Sequence, residues 1–259
     1  MAKRRRPLAA ISTQYARNGP LVDESREYTR LVARGLGRAE RRQFLVIENG
    51  LRRATYKARR NIFEALEARF ADERRAADLG LLVELPAGRR AFDVGALLEL
   101  ARHDTLIGEF LRFLVARIGQ SWSLIDSKYF LDELNRRSGV VRRWAPSLQK
   151  RAVSSLNSLP DAFDIWERRA GPTVTPIEMP PELSAIIIQE RLTDTLPPLH
   201  APEFAMLGLR RDAVVQLLWT CARRRWFTVD VVGDVVNVDP EFDSTASMLR
   251  AGLTQVARV

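Results

Sequence analysis

Seven of the 13 prolines in this 259-residue chain fall between residues 171 and 202: Pro172, Pro176, Pro180, Pro181, Pro197, Pro198 and Pro202. Proline lacks an amide donor and pushes its predecessor out of the helical region, so neither cluster suits a helix interior. The prolines therefore divide the chain into a long leading segment and a shorter trailing one. Residues 171–182 read as a connection, 183–192 as a short helix, and 193–202 as a second irregular stretch.

Ahead of the prolines the apolar spacing is helical. Asp23 and Ser25 are N-cap candidates before Tyr28, Leu31 and Val32, and Gly35 and Gly37 then interrupt. Residues 38–48 carry Phe44, Leu45 and Ile47 and end at Asn49-Gly50, a pair that accepts positive φ. A helix from Thr55 to Phe70 aligns Ile62, Phe63, Leu66 and Phe70. Leu81 to Leu85 reads as a short strand, Pro86 to Gly88 as a turn, and Arg90 to Val94 as a return strand. Helices over 95–103, 106–118, 128–137 and 147–159 follow, and their apolar stripes are core faces, not cofactor boxes.

Behind the prolines the grammar changes. Arg211 to Arg225 is a helix with Val214, Leu217, Leu218, Cys221 and Ala222 inward. Residues 227–232 and 234–238 then alternate at period two around Gly233, which signals a hairpin. A helix running into a short hairpin has the outline of a winged helix. The expected fold is mainly α: a helical N-terminal domain with a helix-turn-helix-like unit, plus a C-terminal helix and β-hairpin of winged-helix-like outline. Its expected divisions are a basic arm at 1–20, a helical domain at 21–170 with the helix-turn-helix-like element at 38–70, the proline-rich connection with its short helix at 171–202, and a winged-helix-like tail at 203–259. No internal repeat is present.

Charge narrows the function. The 41 basic and 32 acidic residues leave a net +9, and all but four of the basic residues are arginine. Residues 1–60 hold 16 basic against 5 acidic side chains, whereas 61–259 hold 25 against 27. Codon bias towards arginine raises the total but does not place it in one segment. Localised positive charge is the footprint of a polyanion partner, nucleic acid first and an anionic membrane surface second. The lone Cys221 cannot form an internal bridge, which fits a reducing compartment. No apolar run approaches the roughly 18–20 residues that span a bilayer, and the basic opening has too few following apolar residues for a secretory signal. A cytoplasmic protein without a membrane partner is expected.

The strongest local signal lies in 38–70. Arg52, Arg53, Lys57, Arg59 and Arg60 cluster where the second helix opens, with Asn49, Thr55 and Tyr56 beside them. A helix-turn-helix reads the major groove from the first turns of its second helix, and arginine meets phosphate or guanine edges bidentately. On a helical wheel Arg53, Lys57 and Arg60 share one face, opposite Ile62 and Phe70. The alternative is a solvated basic face on an ordinary helix. Lys3 and Arg4, Arg5 and Arg6, with Arg17, suggest an arm that adds phosphate contacts, or else a solubilising terminus. The tail carries Asp230, Asp234 and Asp239 on its hairpin, and residues 171–259 hold 8 basic against 11 acidic side chains. Repulsion from phosphate favours a structural or protein-contact role for it.

Catalysis finds little footing. The chain lacks a Gly-rich phosphate loop, a nucleophile elbow and a zinc-protease motif. His103-Asp104 reads as a polar helix end. Asp161, Asp164 and Glu167 resemble a metal-nuclease carboxylate set, but the acidic-x-Lys strand such a set needs is missing. Cys221 sits on an apolar stripe, as an inert core thiol does. With two distant histidines, His103 and His200, a zinc site is not expected. A protein with no enzymatic activity, metal or cofactor is the expectation.

The order of several short motifs adds a resemblance. Residues 21–28 (LVDESREY), 46–53 (VIENGLRR), 58–62 (ARRNI), 107–115 (IGEFLRFLV), 129–132 (YFLD), and 144–147 (WAPS) running on to Leu156 are similar to the BrxA family, the small helical component of the BREX (bacteriophage exclusion) antiviral defence systems. The resemblance covers roughly residues 21–170. It implies a non-catalytic, mostly helical protein that binds double-stranded DNA, with early helices forming a helix-turn-helix-like unit and a fold comparable to the antitermination factor NusB. The family is encoded beside a methyltransferase, an ATPase and a phosphatase-like protein, which are implied partners; an oligomer is compatible. Asn49, Arg52, Arg53, Lys57, Arg59 and Arg60 would then face DNA. Two alternatives stand beside it: a protein-interaction scaffold of the defence complex, whose tail docks a partner, and an RNA-binding NusB-like factor. Residues 193–259 lie outside the resemblance.

Overall fold

The computed structural model describes residues 15, 18–86, 88–139, 141, 144–163, 166–167, 173–232 and 235–256. The chain is mainly helical, with a small antiparallel hairpin near the C-terminus. It divides into two compact units, each built from separated stretches: 1–22 with 99–176, and 23–98 with 177–259.

The smaller unit contains α6 (Thr105–Val115), α7 (Leu124–Ser138), α8 (Pro146–Ala162) and a two-residue ladder of β1 (Trp166–Glu167) with β2 (Thr173–Val174). Asp104 caps α6 by accepting from the Leu106 amide at 2.9 Å, so the His103-Asp104 pair is a helix boundary. The unit's core is aromatic: Phe110 meets Phe130 at 5.1 Å and Trp122 at 5.6 Å between ring centroids. Buried Tyr15 donates its hydroxyl to the Ser155 carbonyl at 2.7 Å. The end of the expected basic arm is thus packed, while Arg4, Arg5 and Arg6 lie outside the described residues.

The larger unit begins with α1 (Val22–Ala33), α2 (Arg38–Arg42), α3 (Tyr56–Arg69) and α4 (Glu73–Glu84), and α5 (Gly88–His103) crosses its boundary after Leu98. Tyr28 of α1 stacks on Phe70 at 5.8 Å and meets Phe63 edge-on at 6.1 Å. Gly80 lets α4 approach α1 closely, since a Cβ there would stand 2.2 Å from the Thr29 carbonyl oxygen. The strand pair expected at 81–85 and 90–94 is absent; both stretches are helical, in α4 and α5. Consecutive apolar residues over so short a run fit a buried helix as well as a strand. For the second stretch burial on all sides fits helix, since residues 91–100 are buried without a break, whereas in the first only Leu82 is buried.

After the prolines come α9 (Pro181–Thr193), a 3₁₀ turn at Pro198–His200, α10 (Pro202–Met206), α11 (Arg211–Arg223), β3 (Phe227–Val232), β4 (Val235–Pro240) and α12 (Thr245–Val256). Pro181 and Pro202 sit in the first turns of α9 and α10, where the missing amide donor costs nothing. The sequence marks α9 as a short helix within a connection. In the structure it is central, with residues 183–189 all buried. Arg75 of α4 is 5% exposed and bonds Glu190 of α9 at 2.7 Å and Glu203 of α10 at 2.8 Å. Asp78 of α4 accepts from the Thr245 hydroxyl of α12 at 3.2 Å. Residues 177–259 therefore pack with 23–98, where the sequence suggested a linear tail beginning at 203. The expected hairpin is present, its second strand running over 235–240 instead of 234–238, with Val232 opposite Val235 and Phe227 opposite Pro240.

Candidate nucleic-acid interface

The basic element at 38–70 is a short helix, a long rigid turn and a second helix. α2 continues into a π-helical turn, Gln43–Ile47, closed by the Glu48 amide donating to the Gln43 carbonyl at 3.0 Å. Leu45 and Val46 are buried there, while Phe44 and Ile47 are 37% and 46% exposed. The connection is longer than a tight Asn49-Gly50 turn. Asn49 and Arg52 both adopt positive φ, at 62° and 50°. Asn49 tolerates that geometry; Arg52 holds it at a cost of order 1 kcal/mol. The turn is fixed by backbone bonds from Gly50 to Phe44 at 3.0 Å and from Leu51 to Leu45 at 3.3 Å, and by buried Leu51. The Asn49 side chain also accepts from the Arg53 amide at 2.9 Å. Gly50 has no substitute: a Cβ would lie 2.8 Å from the Phe44 ring.

Thr55 caps α3 by accepting from the Ala58 amide at 3.2 Å, and no acidic residue occupies the first turn. Its unsatisfied amides and aligned peptide dipoles make this end positive even before Lys57 is counted. Because α3 starts at Tyr56, Arg53 belongs to the turn and not to the helical face that the wheel gave it. Lys57 and Arg60 do share an exposed face, away from buried Ile62, Phe63, Leu66 and Arg69.

The cations are not equally available. Arg53 is ion-paired with Glu24 of α1, and Arg60 pairs with Glu64 at 3.4 Å. Arg59 is half-buried and donates to the Arg53 carbonyl at 3.2 Å, bracing the turn. Arg52 and Lys57 make no ion pair with any described residue. Arg42, which sequence alone did not single out, donates to the exposed Tyr56 hydroxyl at 2.9 Å and so joins the same surface. Its spacing from Tyr56 gives no hint of this, because the π turn and the long connection set the approach.

Other arginines in this unit serve the core. Arg41 is 3% exposed, donates to the Leu36 carbonyl at 2.7 Å and to Glu73 at 2.5 Å, and covers the Tyr28 ring. Arg69 is buried and bonds the Ser25 hydroxyl at 2.8 Å. Arg38 clasps Glu67 with two bonds of 2.6 and 2.8 Å, tying α2 to α3.

The rest of the larger unit supplies contrast. Cys221 is fully buried, its thiol pushed up to about 12 by desolvation. At the hairpin end Val231, Val232 and Val235 are exposed with Asp230 facing solvent beside them, while exposed Asp239 lies opposite Thr228 at the other end of the ladder. Among the described residues no three His, Cys, Asp or Glu side chains are placed to hold a metal, and no helix is long and apolar enough to cross a membrane. Of the carboxylates weighed as a nuclease set, Asp164 lies outside the described residues. Comparison with protein-family models and with curated proteins finds no match.

Proposed function

We propose that this protein is a non-catalytic DNA-binding accessory protein that grips the phosphate backbone through the turn at 49–53 and the first turn of α3. The observation that carries this reading is the rigid, capped helix opening bearing Arg52 and Lys57 without carboxylate partners among the described residues. Arg42, Arg53 and Arg60 stand beside them, the last two held by single carboxylates that phosphate can displace. The resemblance of its motif order to the BrxA family supports a place in a BREX-type defence system, acting in the cytoplasm with that system's other proteins as partners.

Four neutralised phosphates would give a log–log salt slope of about −3 to −4 for duplex DNA. Fluorescence anisotropy with a short duplex measures it. Replacing Arg52 and Lys57 with alanine is expected to flatten the slope by about two and lower affinity at least tenfold at low salt. As exposed positions, they should shift stability by less than about 0.5 kcal/mol each. Undiminished binding by the folded double variant removes this surface from consideration. Competition with single-stranded DNA and structured RNA at one salt concentration tests the NusB-like alternative.

The valine-tipped hairpin favours the scaffold as a second reading. Exposed apolar side chains suit a protein contact, and Asp230 beside them repels phosphate. Pull-down of the defence-complex proteins with Val232→Lys and Val235→Lys variants distinguishes it: unchanged capture sets the hairpin aside.

A further inference from the structure

Beside the basic turn lies a half-open cleft of about 570 Å³, lined by Asp23, Glu24, Glu27 and Arg30 of α1, Phe44, and Gly50 to Arg53. Carboxylates repel a phosphate backbone and an aromatic ring adds nothing to gripping one, so three carboxylates and Phe44 in this place suit a different ligand. Phe44 is held against Gly50, where no side chain could fit, and leaves over a third of its surface exposed. Glu24 meets Arg53 through one oxygen, Glu27 meets Arg30 through both, and Asp23 pairs with Arg26; a carboxylate has about four lone-pair sites, so Glu24 and Glu27 each keep acceptor capacity. Exposed Arg52 also lines the cleft and makes no ion pair with any described residue.

An aromatic face, hydrogen-bond acceptors beside it and a free guanidinium at the edge match the three parts of a nucleotide. The base stacks on Phe44, its donor edge meets a carboxylate, and its phosphate meets Arg52. Guanine is the base that offers two adjacent donors, N1–H and the 2-amino group, to the two oxygens of one carboxylate. We infer that this cleft binds a single guanine nucleotide, with Phe44 as stacking platform, Glu24 or Glu27 as acceptor and Arg52 as phosphate contact. The nucleotide can be free or an unpaired residue of a strand held by the turn; only the strand-borne source rests on the DNA-binding reading.

Calorimetric titration of the full-length protein with dGMP, dAMP, dCMP and TMP tests the inference, alongside anisotropy with a fully paired duplex and one carrying a single extrahelical guanine. Binding of dGMP with a dissociation constant on the order of 100 μM, at least fivefold tighter than the other three, is expected. Phe44→Ala should weaken it at least fivefold while leaving affinity for the fully paired duplex within twofold. Tighter binding of the extrahelical-guanine duplex than of the paired one, lost in Phe44→Ala, identifies the strand-borne source; dGMP binding without that preference identifies the free nucleotide. If neither dGMP nor the unpaired guanine is preferred, or if Phe44→Ala changes neither, the inference is overturned, even where paired duplex still binds. Selective dGMP binding without duplex binding leaves the cleft standing and removes the DNA-binding reading instead.

Discussion

Replacing Asp78 with asparagine should stabilise the protein at neutral pH, although it removes a charge from a hydrogen-bonded side chain. Asp78 lies between α4 and α12, and burial raises its carboxyl from 3.8 to about 6, opposed by the Thr245 hydroxyl and by Arg74. Glu190 and Asp72 push the same way as burial. The folded state therefore holds this proton more tightly than the unfolded chain does. The contribution of Asp78 to stability is highest near pH 4, falls as pH rises towards 6, and is flat above. A displacement from 3.8 to about 6 corresponds to about 3 kcal/mol between the protonation states. Relaxation and the lost attraction to Arg74 reduce the gain in the variant to roughly 1–2 kcal/mol. Urea unfolding at pH 4, 5, 6, 7 and 8 should show Asp78→Asn more stable by that amount at pH 7–8, with the difference shrinking towards pH 4. A variant that is less stable at pH 7, or a difference that does not change with pH, would refute the assignment of burial as the dominant effect.

Two further outcomes follow from buried groups. Arg75→Met leaves Glu190 and Glu203 without their shared guanidinium and should cost about 3–5 kcal/mol in chemical unfolding, typical for one partner removed from a buried ion pair; a loss under 1 kcal/mol would show the cluster to be solvated. Cys221 should resist Ellman's reagent in the folded protein at pH 8 and react at the rate of unfolding, because its buried thiol is pushed up to about 12; fast labelling under native conditions would contradict its burial.

Much of the candidate surface was legible beforehand because it depends on local features. The Asn49-Gly50 signal, the helix opening at Thr55 and the cluster from Arg52 to Arg60 are sequence-adjacent, and the structure keeps them together. The pairing of Arg53 with Glu24 and the approach of Arg42 to Tyr56 were not legible, since each joins residues from different elements. Gln43–Ile47 misled for a related reason. The sequence reads as one helix over 38–48 carrying Phe44, Leu45 and Ile47, yet the π turn buries only Leu45 and Val46 and leaves Phe44 and Ile47 at the surface.

The sequence by itself determined the helical character, the hairpin near the C-terminus, and the segregation of positive charge towards the N-terminus. Each follows from backbone geometry or composition over a few neighbouring residues. Tertiary structure alone decided that 81–84 and 88–94 are helical, because the local period fits either state and residues 91–100 are buried on every side. It also joined 177–259 to 23–98, through contacts such as Arg75 with Glu190, between residues far apart in the chain. And it sorted the arginines, burying Arg41, Arg69 and Arg75 in the core and exposing Arg52 and Arg60 to solvent. A guanidinium carries the same charge in either place; its surroundings decide whether that charge holds the fold or meets a partner.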